Sequence, residues 1–401
     1  MICNALLKVF ALIAAGGLPG LTGALAAPFV PIDDSAVLER LPAKPGDPVQ
    51  RELRALRDAL AADPNDAGRA AALARGYFDL AMAEGDPRYV GYAEAALRPW
   101  ARGDAPAPVL VARGLLRQYR HEFDPALADL ALALEHDPED TDALAWRAAI
   151  FMVRADYAAA RRECAALARV ASELSATGCA AYVKATTGAT RDAYVELSAA
   201  LTRAQRASPG QRQWTLTRLG EMALRLGDPA GAERHFRAAL ALDVSDNFLL
   251  AAFADFLLAQ GRPREVAALL KEWARSDTLL LRLASAEKIL GTARAAQREA
   301  TLAARFADAA QRGERLHLQE EARFLLRLRG DARGALALAV QNWNTQREPR
   351  DAEILLEAAL AARQPQSAQP ALEWLASSGF EDARLALLAT QVRAMAQASA
   401  R

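Results

Sequence analysis

Apolar residues recur at three- and four-residue intervals along almost the whole chain, from about residue 50 to about residue 397. That spacing places them on one face of an α-helix, whereas a strand would alternate apolar and polar residues. No run of alternating β-branched residues occurs. We therefore predict an all-α protein, with a first helix over about 50–62 and a last helix that follows Phe380.

Similar helix endings recur along this pattern. Leu60-Ala61-Ala62-Asp63-Pro64 returns as Leu134-Glu135-His136-Asp137-Pro138 and, with valine in place of proline, as Leu240-Ala241-Leu242-Asp243-Val244. Proline cannot continue a helix, because it lacks the backbone N–H and its ring clashes with the preceding turn. These endings therefore mark the boundaries of repeated helical units.

A spacing of about 34 residues organises the units. Gly227-Asp228-Pro229 recurs 34 residues later as Gly261-Arg262-Pro263, each time between two amphipathic helical stretches. Counted in this way, units begin near Ala107, Thr141, Ser175, Gln213, Asn247, Leu281, Leu316 and Arg350. Only the segment around Cys179 and Thr186-Thr187-Gly188 departs seriously from the spacing. The pattern predicts a tandem array of helix-turn-helix units.

Small and large residues stand at fixed places around the first tripeptide: Leu216, Leu219, Gly220, Ala223, Ala232, Phe236 and Ala239. In this pattern the chain resembles the tetratricopeptide-repeat family, most clearly over residues 107–277. The resemblance implies a right-handed superhelical α-solenoid, in which stacked helix pairs cover one another's apolar faces. It also implies that Gly220 and Ala232 lie where two helices approach too closely for a larger side chain.

In that family the first helix of each repeat lines an open concave groove. The same register in this chain selects Trp214, Thr217, Glu221, Leu224, Phe248, Asp255, Leu258, Phe324 and Arg327. Aromatic and aliphatic side chains bordered by single charges suit an extended segment or a helix of a protein partner. For Trp214 and Phe248, packing against the neighbouring repeat explains the residues equally well.

Charge and motif content argue against other functions. Lys and Arg total 49 and Asp and Glu total 49, so no excess positive charge is present to bind nucleic-acid phosphates. The four histidines stand far apart, and we find no nucleotide-binding loop, nucleophile elbow or metal-ligand spacing. We therefore expect no cofactor, no metal and no catalysis. The alternative is a solenoid enzyme acting on peptidoglycan or carbohydrate, with Glu221 and Asp255 as its catalytic pair.

Residues 1–26 have the features of a secretory signal: Lys8, an apolar stretch, and a small-residue motif that predicts cleavage after Ala26. An uncleaved anchor is the alternative, although glycines and prolines interrupt the apolar run before about 18 to 20 residues accumulate. A lipoprotein would need a cysteine after the apolar stretch, and Cys3 precedes it.

Residues 27–48 contain five prolines and are predicted to form a linker. The solenoid then extends over 49–401 and ends in a capping helix. Export would leave two cysteines, Cys164 and Cys179, in a compartment that permits disulfides. They fall on consecutive helices, where they can form a disulfide or pack as free core residues.

From these observations we expect a non-catalytic interaction scaffold or adaptor in the bacterial periplasm, without a membrane span once the signal is removed. Its partner would be an unidentified protein, held in the concave groove. A scaffold for cell-envelope assembly or polysaccharide export is the alternative.

Overall fold

The computed structural model describes residues 33, 36, 48–314 and 316–399. The predicted signal, 1–26, and nearly all of the predicted linker, 27–48, lie outside them. The chain divides into two units, Met1–Gln50 and Arg51–Arg401. Every regular element of the described residues is helical, so the all-α prediction is confirmed.

Twenty α-helices follow one another in the described residues. They are α1 Pro48–Ala62, α2 Ala67–Glu84, α3 Arg88–Ala96, α4 Ala107–Tyr119, α5 Phe123–His136, α6 Thr141–Val153, α7 Tyr157–Leu167, α8 Glu173–Thr186, α9 Thr190–Arg203, α10 Pro209–Arg225, α11 Pro229–Leu240, α12 Asn247–Ala259, α13 Pro263–Leu270, α14 Asp277–Leu290, α15 Ala295–Gln311, α16 Leu318–Phe324, α17 Ala332–Trp343, α18 Pro349–Ala361, α19 Gln369–Ser378 and α20 Ala383–Ser399. A π-helical turn, Leu325–Arg329, continues α16. Short 3-10 turns lie at Arg98–Trp100 and Pro365–Ala368.

Helices α2 to α19 form nine packed pairs of consecutive helices, and each pair packs against the next. Three of the predicted unit starts, Ala107, Thr141 and Asn247, are the first residues of α4, α6 and α12. The last helix, α20, packs on α18 at the end of the stack. The predicted solenoid of stacked helix-turn-helix units is therefore confirmed.

The turn inside a pair explains the recurring tripeptide. Gly227 and Gly261 have φ angles of 77° and 68°, a left-handed conformation that glycine adopts without strain. Pro229 and Pro263 are each the first residue of the following helix, where the missing N–H costs no hydrogen bond. The tripeptide thus ends one helix and begins the next.

Close approach between the two helices of a pair explains the small residues. A Cβ atom on Gly220 would lie 2.8 Å from Cε1 of Phe236, and one on Gly114 would lie 2.8 Å from Cγ of Leu130. Ala232 is fully buried. The packing role predicted for Gly220 and Ala232 is confirmed.

The stack turns back on itself, so that helix pairs far apart in sequence are in contact. The indole Nε1 of Trp374 donates a hydrogen bond to the hydroxyl of Tyr157, 2.7 Å away. Between α2 and α3, a Cβ atom on Gly85 would lie 2.5 Å from Oγ of Ser276, which precedes α14. The expected groove is therefore not open along its whole length, because C-terminal helices cover part of it.

Candidate functional site

The predicted groove residues lie on three helices and in the π-helical turn that continues the last of them. Helix α10 carries Trp214, Thr217, Glu221 and Leu224, helix α12 carries Phe248, Asp255 and Leu258, Phe324 ends α16, and Arg327 lies in the π-helical turn. Trp214 and Leu224 are the most exposed of the apolar members, at 41% and 39%. The structure therefore leaves two large apolar side chains of α10 accessible.

Two predicted residues are not on the accessible surface. Thr217 is 3% exposed, and its hydroxyl donates to the carbonyl of Gln213 one turn earlier, so it offers a partner no free polar group. Phe324 is also 3% exposed and packs against Phe306 of α15, with ring centroids 5.5 Å apart. Arg327, in the π-helical turn that follows, donates a hydrogen bond to Glu357 of α18.

Arg218 lies at the centre of an aromatic cluster on the inner face. Its guanidinium carbon is 4.7 Å from the ring centroid of Tyr182, 4.4 Å from that of Phe248 and 5.5 Å from that of Trp214. Arg350, which comes from α18, also lies 4.4 Å from the Phe248 ring. Two guanidinium groups thus cover Phe248. Sequence reasoning missed both arginines as site residues, since charged side chains on helices are usually solvated.

Asp255 is held in its ionised form by two buried arginines. Its carboxylate accepts hydrogen bonds from Arg282 at 3.0 and 2.7 Å and is 3.5 Å from Arg323. Burial by itself would raise the pKa of Asp255, but the charges of Arg282 and Arg323 more than offset this and lower the pKa to about 2. Both arginines are almost wholly buried, so the carboxylate neutralises charges that water cannot reach.

A cavity of about 450 Å³ lies between the inner helices and the C-terminal helices. Its charged lining is nearly balanced and consists of Arg218, Arg225, Arg323, Arg327, Arg350, Arg384, Glu221, Asp255, Glu348, Glu353 and Asp382. Leu224 and Leu258 supply apolar wall. A hydrogen bond of 2.8 Å joins Glu221 to Arg218. A wall with both charges and apolar surface offers a donor or acceptor to each polar group of a polypeptide.

Residues Gly379–Asp382, which we call the C-terminal strap, border this cavity and contact α9 and α10. The Glu381 carboxylate accepts a hydrogen bond from the backbone N–H of Thr190, 3.0 Å away. Arg225 donates from Nε to the Glu381 carbonyl at 2.9 Å, and its guanidinium carbon lies 3.9 Å from the Phe380 ring centroid. The strap thus fastens the end of the solenoid to the inner face of its middle.

The irregular segment of the sequence is the place where the strap docks. Gly188, between α8 and α9, has a φ of 85°, and a Cβ atom there would lie 3.1 Å from the carbonyl oxygen of Gly379. Two backbones approach closely at this point, which only glycine permits. The departure around Thr186-Thr187-Gly188 from the repeat pattern therefore has a structural cause.

Cys164 of α7 and Cys179 of α8 are joined by a disulfide, with Cα atoms 5.5 Å apart. The bond links the second helix of one pair to the first helix of the next. It lies in a small apolar cluster with Ala148, Met152 and Val183.

Two other features bear on the site. Among the described residues, no group of three or more His, Cys, Asp and Glu side chains is arranged to hold a metal ion. Within the same part of the chain, no helix combines the length and the apolar content that a bilayer crossing requires.

No model of a known protein family and no curated protein matches the sequence. Solved structures of tetratricopeptide-repeat and related helical proteins align with low similarity. Yeast Tom70 aligns at 13% identity and a TM-score of 0.43, over 88% of this chain and 86% of that chain. Cut9, in the APC/C heterotetramer Cut9–Hcn1, aligns at 14% identity and a TM-score of 0.41, over 86% of this chain and 52% of that chain. This chain therefore spans about half the length of Cut9. A tetratricopeptide-repeat protein from Parabacteroides merdae aligns at 14% identity and a TM-score of 0.26, over 86% of this chain and 99% of that chain.

Proposed function

We propose that this protein is a non-catalytic interaction scaffold of the bacterial periplasm, which binds a segment of a protein partner on the inner face of its solenoid. The observation that carries the proposal is the surface around α10. Trp214 and Leu224 are exposed there, and Leu224 lines a cavity whose wall carries arginines, carboxylates and leucines.

This combination has the composition of a protein-binding surface. Aromatic and aliphatic side chains act as anchors, and arginines are enriched at such interfaces because their donors and flat faces serve several kinds of contact. Trp214 presents both features together, since the Arg218 guanidinium lies beside its ring. A partner segment that places an apolar side chain against Leu224 can at the same time reach the charged wall of the cavity.

Export to the periplasm is supported by two independent features. Residues 1–26 have the composition of a secretory signal. The Cys164–Cys179 disulfide is a bond that persists in oxidising compartments and is rare in the cytosol. N-terminal sequencing of protein isolated from the periplasm should find Ala27 as the first residue, and retention of residues 1–26 would favour the uncleaved anchor.

The alternative of a solenoid hydrolase gains no support from Glu221 and Asp255. A general acid needs a pKa raised towards the working pH, whereas the arginines around Asp255 lower its pKa to about 2. Glu221 is bonded to Arg218 and lies 3.8 Å from Arg350. Both carboxylates therefore neutralise arginines. Peptidoglycan hydrolysis by purified protein, abolished by Glu221→Gln, would overturn this conclusion.

Site-specific photo-cross-linking in intact cells tests the proposal. A photoreactive amino acid at Leu224, which is 39% exposed, should trap a defined protein partner that mass spectrometry identifies. The matched control is Leu132, 38% exposed on α5, the second helix of its pair. Equal cross-linking at both positions, or none at Leu224, would contradict the proposal. The identity of the trapped protein also separates a simple adaptor from a scaffold for envelope assembly or polysaccharide export.

A further inference from the structure

We infer that the face formed by the ends of α8, α9 and α10 recognises a partner segment in which an aromatic residue is followed by an acidic one. In the protein alone, the chain's own strap, Gly379–Asp382, occupies this face, and the partner segment takes its place. The inference rests on the proposed function and names the chemistry of the partner.

The first element of recognition is a guanidinium surface for an aromatic ring. Arg225 lies 3.9 Å from the ring centroid of Phe380. Its Nη2 donates to the carbonyl of Ala185 at 2.5 Å and to the hydroxyl of Thr190 at 2.7 Å. Because these bonds come from α8 and α9, they fix the plane of the guanidinium before any ring is placed on it. A fixed cationic plane favours the electron-rich face of an aromatic residue.

The second element is a site for a carboxylate at the start of α9. The residue at the N-cap position of α9 is Ala189, which has no side-chain acceptor for the free N–H groups. Glu381 supplies that acceptor through its bond with the N–H of Thr190. The start of a helix attracts negative charge, and Arg191 and Arg225 add positive charge nearby. Hydrogen bonding from Thr190, together with the charges of Arg225 and Arg191, lowers the pKa of Glu381, so the site binds the ionised form.

The third element is a hydrogen bond to the backbone of the bound segment. The carbonyl oxygen of Glu381 accepts from Nε of Arg225 at 2.9 Å. One arginine therefore contacts the aromatic ring and the backbone of the next residue together. This requires the aromatic residue and the acid to be adjacent and in that order, which makes the recognised feature a short linear motif.

Exchange of the strap is feasible because its contacts divide into two kinds. Those with α9 and α10 are hydrogen bonds and a cation–π contact, groups that a similar segment can satisfy equally. The apolar contact of Phe380 is with Trp374 of α19, on the strap's own side, with ring centroids 5.3 Å apart. Release of the strap keeps the contact between Phe380 and Trp374, and besides these bonds it separates the backbone of Gly379 from Gly188. Since an attached segment has an effective concentration on the order of millimolar, a partner must make further contacts to displace it.

Binding of a labelled peptide to the full-length protein tests the inference. The probe is a fluorescent peptide with the sequence of residues 376–385, and fluorescence anisotropy measures its affinity. Glu381→Lys weakens the strap by charge reversal while Phe380 and Trp374 are unchanged. We expect the peptide to bind this variant at least about tenfold more tightly than it binds the unmodified protein. The matched control is Glu373→Lys, an exposed reversal in α19, which should bind as the unmodified protein does.

Changes in the peptide keep the test independent of folding. Replacing the peptide's phenylalanine or its first acidic residue with alanine should weaken binding to the Glu381→Lys protein by at least about tenfold. Adding Arg225→Lys, which keeps the charge but loses the guanidinium plane, should do the same. Equal affinity for the unmodified and Glu381→Lys proteins, or for the altered peptides, would overturn the inference.

The two proposals fail separately. If Leu224 captures a partner in cells but the peptide does not bind the Glu381→Lys protein, the motif is wrong and the scaffold function stands. If the peptide binds as expected and Leu224 captures no protein, the recognition chemistry stands and the scaffold function fails.

Discussion

Glu381 caps helix α9 from the far end of the solenoid. Its Oε2 lies 3.0 Å from the backbone nitrogen of Thr190, which stands 191 residues earlier in the chain. Helices are usually capped by the residue that precedes them, but Ala189 has no side-chain oxygen. The contact joins the segment before the last helix to the middle of the stack. Weakening this contact therefore weakens the closure of the solenoid.

Replacing Glu381 with alanine should therefore destabilise the folded protein. Loss of a helix cap costs about 0.5 to 2 kcal/mol, and denaturant unfolding measures it. The hydrogen bond from Thr190 lowers the pKa of Glu381, so the stabilisation is complete above the unfolded pKa of about 4.3. It should be lost as the pH falls through the lower pKa of the folded state.

Hydrogen exchange gives this prediction a local measurement. In the Glu381→Ala protein, the amides of the first turn of α9 should exchange faster, while those of α4 remain unchanged. Glu373→Ala, on the exposed side of α19, is the control and should alter neither stability nor exchange in α9. Identical exchange at Thr190 with and without the Glu381 carboxylate would contradict the cap.

The contact between Gly220 and Phe236 makes a second prediction, about packing inside one helix pair. Gly220→Ala places a methyl group 2.8 Å from the Phe236 ring, so the ring or the helix must shift. We expect a loss of about 1 to 3 kcal/mol in the free energy of unfolding. Gly91→Ala is the matched control, since nothing lies within 4 Å of the added carbon, and it should stabilise α3 by about 0.5 to 1 kcal/mol. If Gly220→Ala and Gly91→Ala changed the free energy of unfolding in the same direction, the close approach of Gly220 to Phe236 would not limit the packing.

These two contacts also show which parts of the structure the sequence predicts. Gly220 and Phe236 lie in one helix pair, and their role follows from the repeat pattern because neighbouring helices meet locally. The contact between Glu381 and Thr190 depends on the summed rotation of the pairs between them, and a small change in each rotation decides whether the ends meet. No residue type marks such a contact. For this reason the sequence predicted the stack but not its closure.

Closure also explains which site residues were missed. The prediction treated single charges as the border of an open groove, and Glu221 and Asp255 were interpreted in that way. In a closed solenoid, Arg350 of α18 faces Phe248 of α12 and Glu221 of α10, whereas Arg218 faces rings on the neighbouring helices α8 and α12. Thr217 is buried, and its hydroxyl bonds to the carbonyl of Gln213 one turn earlier, which its position in the repeat did not reveal.

A third prediction concerns Asp351, a carboxyl group buried in the C-terminal half. It accepts hydrogen bonds from the side-chain amides of Gln319 and Asn342 and from the backbone N–H of Glu348. Burial, helped by the charge of Glu348, raises the pKa of Asp351 to about 7. The folded state therefore holds a proton that the unfolded state releases above a pH of about 3.9. The contribution of this group to stability is complete below that pH and is lost as the pH rises to about 7.

Urea unfolding between pH 4 and pH 8 measures this effect. Asp351→Asn cannot titrate, so the difference in stability between the unmodified protein and this variant should shrink as the pH rises through that interval. Asp308→Asn, a change of an exposed carboxylate on α15, should leave the pH dependence unchanged. A constant difference across the whole interval would mean that Asp351 stays ionised in the folded protein.

The fourth prediction separates two roles of Cys164 and Cys179, a bond between helix pairs or a pair of small packing residues. The bond closes a loop of 15 residues, and a cross-link of that size stabilises a protein by about 3 kcal/mol because it restricts the unfolded chain. Reductant should therefore lower the melting temperature of the unmodified protein. A variant with both cysteines replaced by alanine should melt near the reduced protein and be insensitive to reductant. If the unmodified protein melted at the same temperature with and without reductant, the cysteines would contribute only their packing.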